Sequence, residues 1–366
     1  MTDTTMDFDS AWVLGGGLMG RLMALSLARA GCAVELHEAQ GPDAQGAAAR
    51  VAAAMLAPLA ESAVAPLSVV RMGEYALGRW PQLLAGLPAP VFFQQAGTLV
   101  VWHRQDAADA GRLGRTLVHN QAQQPSLAAP QSLDAAALAE AEPALAGRFM
   151  QGLLLPGEGQ LDNRQLLAAL QQALEAHPQV RLHWHSARSP QDLSPGPRER
   201  VIDCRGLGAH AQWPAVRGVR GEVARIHAPE VTLQRPTRLV HPRYPIYIAP
   251  KQDHLFVIGA TEIESDDMSP PSVRSVLELL SAAYTVHSGF AEARIVEIAA
   301  QCRPTLPDNL PALRWLGERV LQINGLYRHG FMIAPAMLDA AMQSLQHRES
   351  PLADQLQIGI EHLPAR

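Results

Sequence analysis

An α/β fold in two domains is what the sequence predicts, and three observations carry it. The chain has 366 residues, a length that divides more naturally between two cores than it fills one. Residues 12–38, WVLGGGLMGRLMALSLARAGCAVELHE, read in order as strand, glycine turn, helix and second strand. Residues 91–103, 223–228 and 254–262 are rich in β-branched and aromatic side chains between turn residues, which gives them strand character outside that first unit.

The 12–38 segment is the most informative. A short apolar strand runs into Gly15-x-Gly17-x-x-Gly20, and apolar residues then recur at helical spacing up to Gly31. In a βαβ dinucleotide site Gly15 makes the tight turn, Gly17 admits a pyrophosphate to the backbone, and Gly20 lets helix and strand pack closely. The free N–H groups of the helix start, around Leu18 and Met19, meet the phosphates at the positive end of the helix dipole. Glu38 ends the second strand, where a carboxylate accepts ribose hydroxyls. A free 2′-hydroxyl there favours NAD or FAD over NADP. A glycine triplet alone is a weak signal; here its confirming context is present in full.

A second cluster, Gly206-x-Gly208-x-x-Ala211, also follows a strand, within VIDCRGLGAHAQWP at 201–214. Pro214 stops any helix after about two turns, too short for a second dinucleotide crossover. Gly206 is therefore expected where a strand end returns to the first nucleotide site. After Glu38 comes GAAARVAAAMLAPLAE, 46–61. Composition alone makes it an alanine-rich core helix. Its position after the ribose-binding acid instead suits a backbone that runs along a flat cofactor, past Ala48, Ala49, Ala53, Ala54 and Met55.

Composition bounds the rest. Apolar residues make up 48%, ample for a large core, and no stretch reaches the roughly 18 apolar residues of a membrane span. The acidic start, MTDTTMDFDSAW, has no basic region of the secretory kind. Cys32, Cys204 and Cys302 match no disulfide or metal spacing; no metal is expected, and the compartment expected is the cytoplasm. A net charge of −5 argues against nucleic acid as the main partner. Lys251 is the only lysine, so arginine carries nearly all the positive charge, and a lone arginine says little without its neighbourhood.

The ordered blocks resemble the D-amino-acid oxidase superfamily of FAD enzymes, and most of all the glycine oxidases of thiamine biosynthesis. The blocks are AAAML at 52–56 with Ala60-Glu61, VRGVRGE at 216–222, YIAP at 247–250, VIGATE at 257–262, RPTLPDNLP at 303–311 and LYRHGFMIAP at 326–335. The resemblance implies a glutathione-reductase-like FAD-binding Rossmann domain from 1–62, 150–215 and 296–366. It implies a substrate domain on a mixed or antiparallel sheet from 63–149 and 216–295. Helices fit this plan at 161–178, started near Asp162 and stopped by Pro178, and at 273–287.

The resemblance also implies the chemistry. Arg303 would grip the substrate carboxylate, as a planar guanidinium does with two parallel hydrogen bonds; a salt bridge with Asp308 is the alternative. Tyr247 would touch the substrate through its hydroxyl, with Tyr244 as the other candidate. Arg328 would border the substrate pocket. Leu326, Tyr327, Arg328, His329, Gly330, Phe331 and Met332 would run along the flavin, the helix start facing the C2 carbonyl, where negative charge gathers on reduction. The implied reaction takes hydride from Cα of a small amino acid or amine to flavin N5, leaves an imine and reduces oxygen to hydrogen peroxide. Two alternatives stay open: a dehydrogenase of D-amino acids or N-methyl amines with another electron acceptor, and a non-catalytic flavoprotein. A homo-oligomer and hand-off of the imine to thiazole-forming enzymes are further partners in view. The chain departs from the family at Leu326, His329, Cys302 and Ala54; His329 has no assigned role.

Overall fold

The computed structural model describes residues 6–243 and 245–364. The first five residues of the acidic start, and Tyr244, lie outside them.

The mixed α/β fold expected from the sequence is present, organised on two large sheets. The seven-stranded sheet runs Gly359–Leu363, Ala312–Leu316, Val320–Asn324, Glu199–Asp203, Ser10–Leu14, Ala33–His37, Val180–His183. Its pairings are parallel except between Ala312–Leu316 and Val320–Asn324. Val13 and Leu14 are fully buried, as a strand covered on both faces requires. Helix Leu18–Arg29 crosses to the second strand and ends at Gly31, whose φ of 94° is left-handed. There Cys32 N donates to Leu27 O at 3.0 Å, which satisfies a terminal helix carbonyl. The strand of the second glycine cluster, Glu199–Asp203, lies parallel beside Ser10–Leu14, so Gly206 emerges next to the first glycine turn.

The eight-stranded sheet runs Arg294–Thr305, Arg217–His227, Leu255–Gly259, Ile246–Pro250, Thr237–Val240, Thr98–Trp102, Gln151–Leu155, Gln131–Asp134. It is antiparallel apart from the parallel pairing of Thr237–Val240 with Thr98–Trp102. The strands Gln151–Leu155 and Arg294–Thr305 belong to it over their whole lengths. Helix Val273–Val286 begins at Ser272, whose hydroxyl accepts from Ser275 N, and packs Leu279, Ala283 and Val286 against this sheet's core. A small sheet of Met55–Leu56, Gly159–Leu161 and Phe93–Gln94 completes the three. Helix Asn163–Ala176 starts where Asp162 accepts from Arg164 N and Gln165 N at 2.8 and 2.9 Å. No helix of the described residues is long and apolar enough to cross a membrane.

The alanine-rich run 46–61 is not one helix. It forms two single turns, Ala48–Val51 and Pro58–Glu61, on either side of the strand Met55–Leu56. Ala54 sits at φ 53°, where no helix continues. Asn163 Nδ2 donates to the carbonyls of Ala49 and Arg50, and Lys251 Nζ to that of Ala53. These tertiary bonds replace the i→i−4 ladder, so propensity is overridden.

Candidate active site

One face of the eight-stranded sheet supplies a wall. Side chains alternate along a strand, so Gln301 and Arg303, Gly221 and Val223, Gly259, Tyr247 and Arg238 share a face by register. All of them line a single cavity of about 1090 Å³. Pockets for small molecules usually span about 300–1,000 Å³; this one is large enough for a cofactor with a substrate beside it. Two glycines shape the wall. A Cβ at Gly221 would lie 2.1 Å from Arg303 Nη2, and one at Gly259 would lie 2.5 Å from the Tyr247 hydroxyl.

The opposite wall comes from the first glycine turn. Gly15, Gly17, Leu18 and Met19 line the same cavity, and so does Glu38. Gly17 precedes the helix with no side-chain cap, and the first turn holds no acidic residue, so its orphan N–H groups are available to an anion. Gly15 is left-handed at φ 94°. Gly20 stays out of the cavity: a Cβ there would sit 1.7 Å from Gly15 O, a packing position between helix and turn. Glu38 Oε2 accepts from Gly16 N at 2.5 Å and Oε1 from Gln40 N at 2.8 Å; each oxygen keeps a second lone pair for a hydroxyl donor. Arg21, 1% exposed, braces the turn by donating to the carbonyls of Gly16, Leu167 and Pro42 at 2.6–2.7 Å.

The alanine-rich loop (Ala48, Ala49, Ala53, Ala54, Met55) and Gly206 also line the cavity. So does the segment from Leu326 to Met332. Residues Tyr327–His329 form a 3-10 turn that leads into helix Gly330–His347. A Cβ at Gly330 would meet no protein atom within 4 Å, so the packing of the protein itself does not require that glycine.

The cavity's polar end is built on Glu61. Its Oε1 accepts from Arg238 Nη2 at 2.5 Å, and its Oε2 from Arg328 at 2.9 Å and 3.1 Å. His329 Nδ1 lies 3.5 Å away. The two guanidinium groups hold the Glu61 carboxyl well below the usual range despite its burial. Glu262 binds the other side of Arg328, accepting from Nη1 at 2.6 Å, and takes the Tyr327 hydroxyl at 2.7 Å. Burial pushes His329 down to about 4, so it is neutral near pH 7. Arg303 differs from its neighbours. Its Nη1 and Nη2 donate to the main-chain carbonyls of Arg220 and Thr261 at 3.4 and 3.1 Å, and among the described residues no carboxylate pairs with it, while Asp308 accepts from Leu310 N. Burial raises the Tyr247 phenol above its ordinary value, opposed by Arg303, Arg328 and Arg238; it is a neutral donor.

Four residues escaped the sequence reading as site groups: Glu61, Arg238, Glu262 and Arg21. Glu61 and Glu262 each end an apolar run inside a quoted block, which is a detectable signal; the two arginines have none. Elsewhere, Glu35, His37 and His183 bring ligand-type atoms within 4.8 Å. The two rings stack at 4.4 Å and 8°, so their lone pairs run parallel and do not converge on one ion.

A glycine turn at an uncapped helix, the Glu38 carboxylate beside it and a pocket of guanidinium and carboxylate groups along one cavity are the features of a dinucleotide-binding enzyme. The chain belongs to the DAO family of FAD dependent oxidoreductases, whose family model matches residues 11–340, and its cofactor is FAD. It is 42% identical over 325 residues to the putative thiamine biosynthesis oxidoreductase ThiO of Rhizobium etli, covering 89% of this chain and 93% of that one. Its fold matches iminodiacetate oxidase from Chelativorans sp. BNC1 with a TM-score of 0.78 at 19% identity, over 96% and 99% of the two chains. Glycine oxidase from Geobacillus kaustophilus matches with a TM-score of 0.75 at 24% identity, over 94% and 96%.

Proposed function

We propose that the chain oxidises glycine or another small amino acid or amine, with oxygen reduced to hydrogen peroxide and the imine fed to thiazole formation. The observation that carries the proposal is Arg303, a guanidinium on the cavity wall with no carboxylate partner among the described residues. The charges of Arg238 and Arg328 are opposed by Glu61 and Glu262. Among these five groups one positive charge remains over, the complement of one substrate carboxylate. The relatives named for thiamine biosynthesis and for glycine oxidation support the same substrate class.

FAD, when bound, supplies the two-electron acceptor. The protein's own part is to hold and orient. Arg303 binds the carboxylate through its fork. Tyr247, neutral and beside it on the sheet face, donates a hydrogen bond that fixes the rotation about that anchor. The neutral His329 brings no charge of its own to Glu61 and Arg328. The apolar part of the wall, Val223, Leu326 and Met332 among it, keeps water from the reacting carbon. Positioning and electrostatics of this kind suffice for hydride removal. We assign the residues placed on the cavity to the roles given above, the compartment to the cytoplasm, and the nucleotide domain to 1–62, 150–215 and 296–366. Its joints to the substrate domain fall at the strands Gln151–Leu155 and Arg294–Thr305, which lie in the eight-stranded sheet.

The test is a peroxide assay on the purified holoenzyme with glycine, sarcosine and D-alanine, beside Arg303→Ala. Peroxide with at least one amine is expected, with turnover lost in the variant and FAD retained. Reduction of a dye without peroxide would turn the proposal to a dehydrogenase of D-amino acids or N-methyl amines. An Arg303→Ala enzyme with unchanged kcat and KM would refute the carboxylate clamp.

A further inference from the structure

Lys251, the only lysine in the chain, is buried at 7% exposure, directly after strand Ile246–Pro250. Its Nζ donates to Ala53 O at 2.8 Å, Gln160 Oε1 at 3.0 Å and Leu161 O at 2.8 Å. An ammonium has three N–H donors and no acceptor, so three oxygens match the protonated group fully. The Gln160 amide is itself fixed, since its Nε2 donates to Gln94 Oε1 at 3.0 Å.

The partner carbonyl at Ala53 matters most. Ala53 and Ala54 line the cavity, whereas Lys251 lies behind them and does not. The 53–54 peptide is trans, so its C=O and N–H point in opposite directions. With the carbonyl turned back onto Lys251, the Ala54 N–H is turned toward the cavity, and no protein acceptor meets it among the described residues. Ala54 is also held at φ 53°, a conformation that costs about 1–2 kcal/mol for a residue with a Cβ and needs an outside constraint.

We propose that Lys251 is a positioning residue for the cofactor: its ammonium fixes and polarises the 53–54 peptide so that the Ala54 N–H donates to bound FAD. It acts through the peptide and touches no substrate. The role rests on the cofactor and is independent of which amine is oxidised. A donor polarised by a cation strengthens as the ring gains negative charge on reduction, so Lys251 raises the reduction potential of the bound FAD. The charged groups facing Lys251 are Asp162 and Arg225, which pair with each other at 3.1 Å and largely offset. Burial pushes the Lys251 amine down to about 7, so its charge is lost far below the pH at which a surface lysine titrates.

The experiment measures the potential of bound FAD from pH 6 to 9.5 in the wild-type holoenzyme and in Lys251→Met. At pH 6 the variant's reduction equilibrium is expected to be weaker by about tenfold, 30 mV for a two-electron couple. The wild-type slope should change near neutral pH, and the variant's should not. Equal potentials and equal slopes would overturn the role, because a merely structural lysine alters stability and leaves the potential alone. If the variant does not hold FAD, the wild type decides. Lysine labelled with 13C at Cε gives one resonance from an untagged chain. A titration midpoint that rises when the FAD is reduced supports the role, and a midpoint indifferent to FAD and its redox state refutes it.

Discussion

Glu61 holds together the polar end of the cavity, and at 8% exposure it does so almost out of water. Removing one partner of a buried ion pair leaves the other charges uncompensated, at about 3–5 kcal/mol. Glu61→Ala is therefore expected to unfold at clearly lower urea concentration than wild type; an unchanged midpoint would contradict the network. Its pH dependence has a definite sign. The folded carboxyl is held below the usual range by Arg238 and Arg328. Its contribution is thus full above the unfolded value of about 4.3 and is lost as the pH falls below that. Glu61→Gln should remove that part of the acid sensitivity, read as a flatter stability profile between pH 5 and 3.

Helix Gly330–His347 shows how an element tolerates a residue that ought to break it. Pro335 lies inside it and donates nothing to the carbonyl of Phe331 four residues earlier. The indole Nε1 of Trp80, a fully buried residue of helix Leu67–Ala85, donates to that carbonyl at 2.9 Å. The helix is thereby pinned to its neighbour at Phe331, itself one of the cavity-lining residues. Trp80→Phe keeps an aromatic ring and orphans the carbonyl, a loss of about 1–3 kcal/mol. Thermal unfolding should show a Tm lower by several degrees, and a Tm equal to wild type would mean that the bond contributes nothing. LYRHGFMIAP announced a helix start with polar residues at its head. It did not announce Trp80, 251 positions away in sequence, because a side chain that repairs a helix from outside leaves no local pattern.

At the scale of the whole molecule the eight-stranded and the small sheet meet at Glu158, in the turn between strands Gln151–Leu155 and Gly159–Leu161. Its Oε1 accepts from Ala60 N at 2.8 Å, tying the small sheet to the segment that carries Glu61. Burial pushes its carboxyl up to about 7, so the folded protein keeps a proton there that the unfolded chain releases near 4.3. Stability from this group is present below about 4.3 and declines as the pH rises through 7. Glu158→Gln mimics the protonated form. Relative to wild type it should gain stability as the pH rises from about 4.5 to 7 and hold that gain above 7, measured as a difference in Tm that grows and then levels off; a difference constant from pH 4.5 to 8 would refute the assignment.

By itself the sequence determined the nucleotide half of the protein. Gly20 is constrained by Gly15, five residues away, and Gly15 by Cys204 at the end of the adjoining strand, so turn, helix and Glu38 follow from local spacing. The cap at Asp162 was legible for the same reason: the acceptor and the N–H groups it binds, those of Arg164 and Gln165, are two and three residues apart. Arg303 and Tyr247 were reached through the resemblance, since a wall made by every second residue of five strands exists only after those strands pair. The tertiary structure alone decided that the alanine-rich run is a loop, because the competing donors come from Asn163 and Lys251, more than a hundred residues away. It alone decided that, of Arg238, Arg303 and Arg328, Arg303 is the one with no carboxylate partner among the described residues. That depends on where Glu61 and Glu262 point, and a side chain's partner across a cavity is set by the packing of whole elements, which no local pattern encodes.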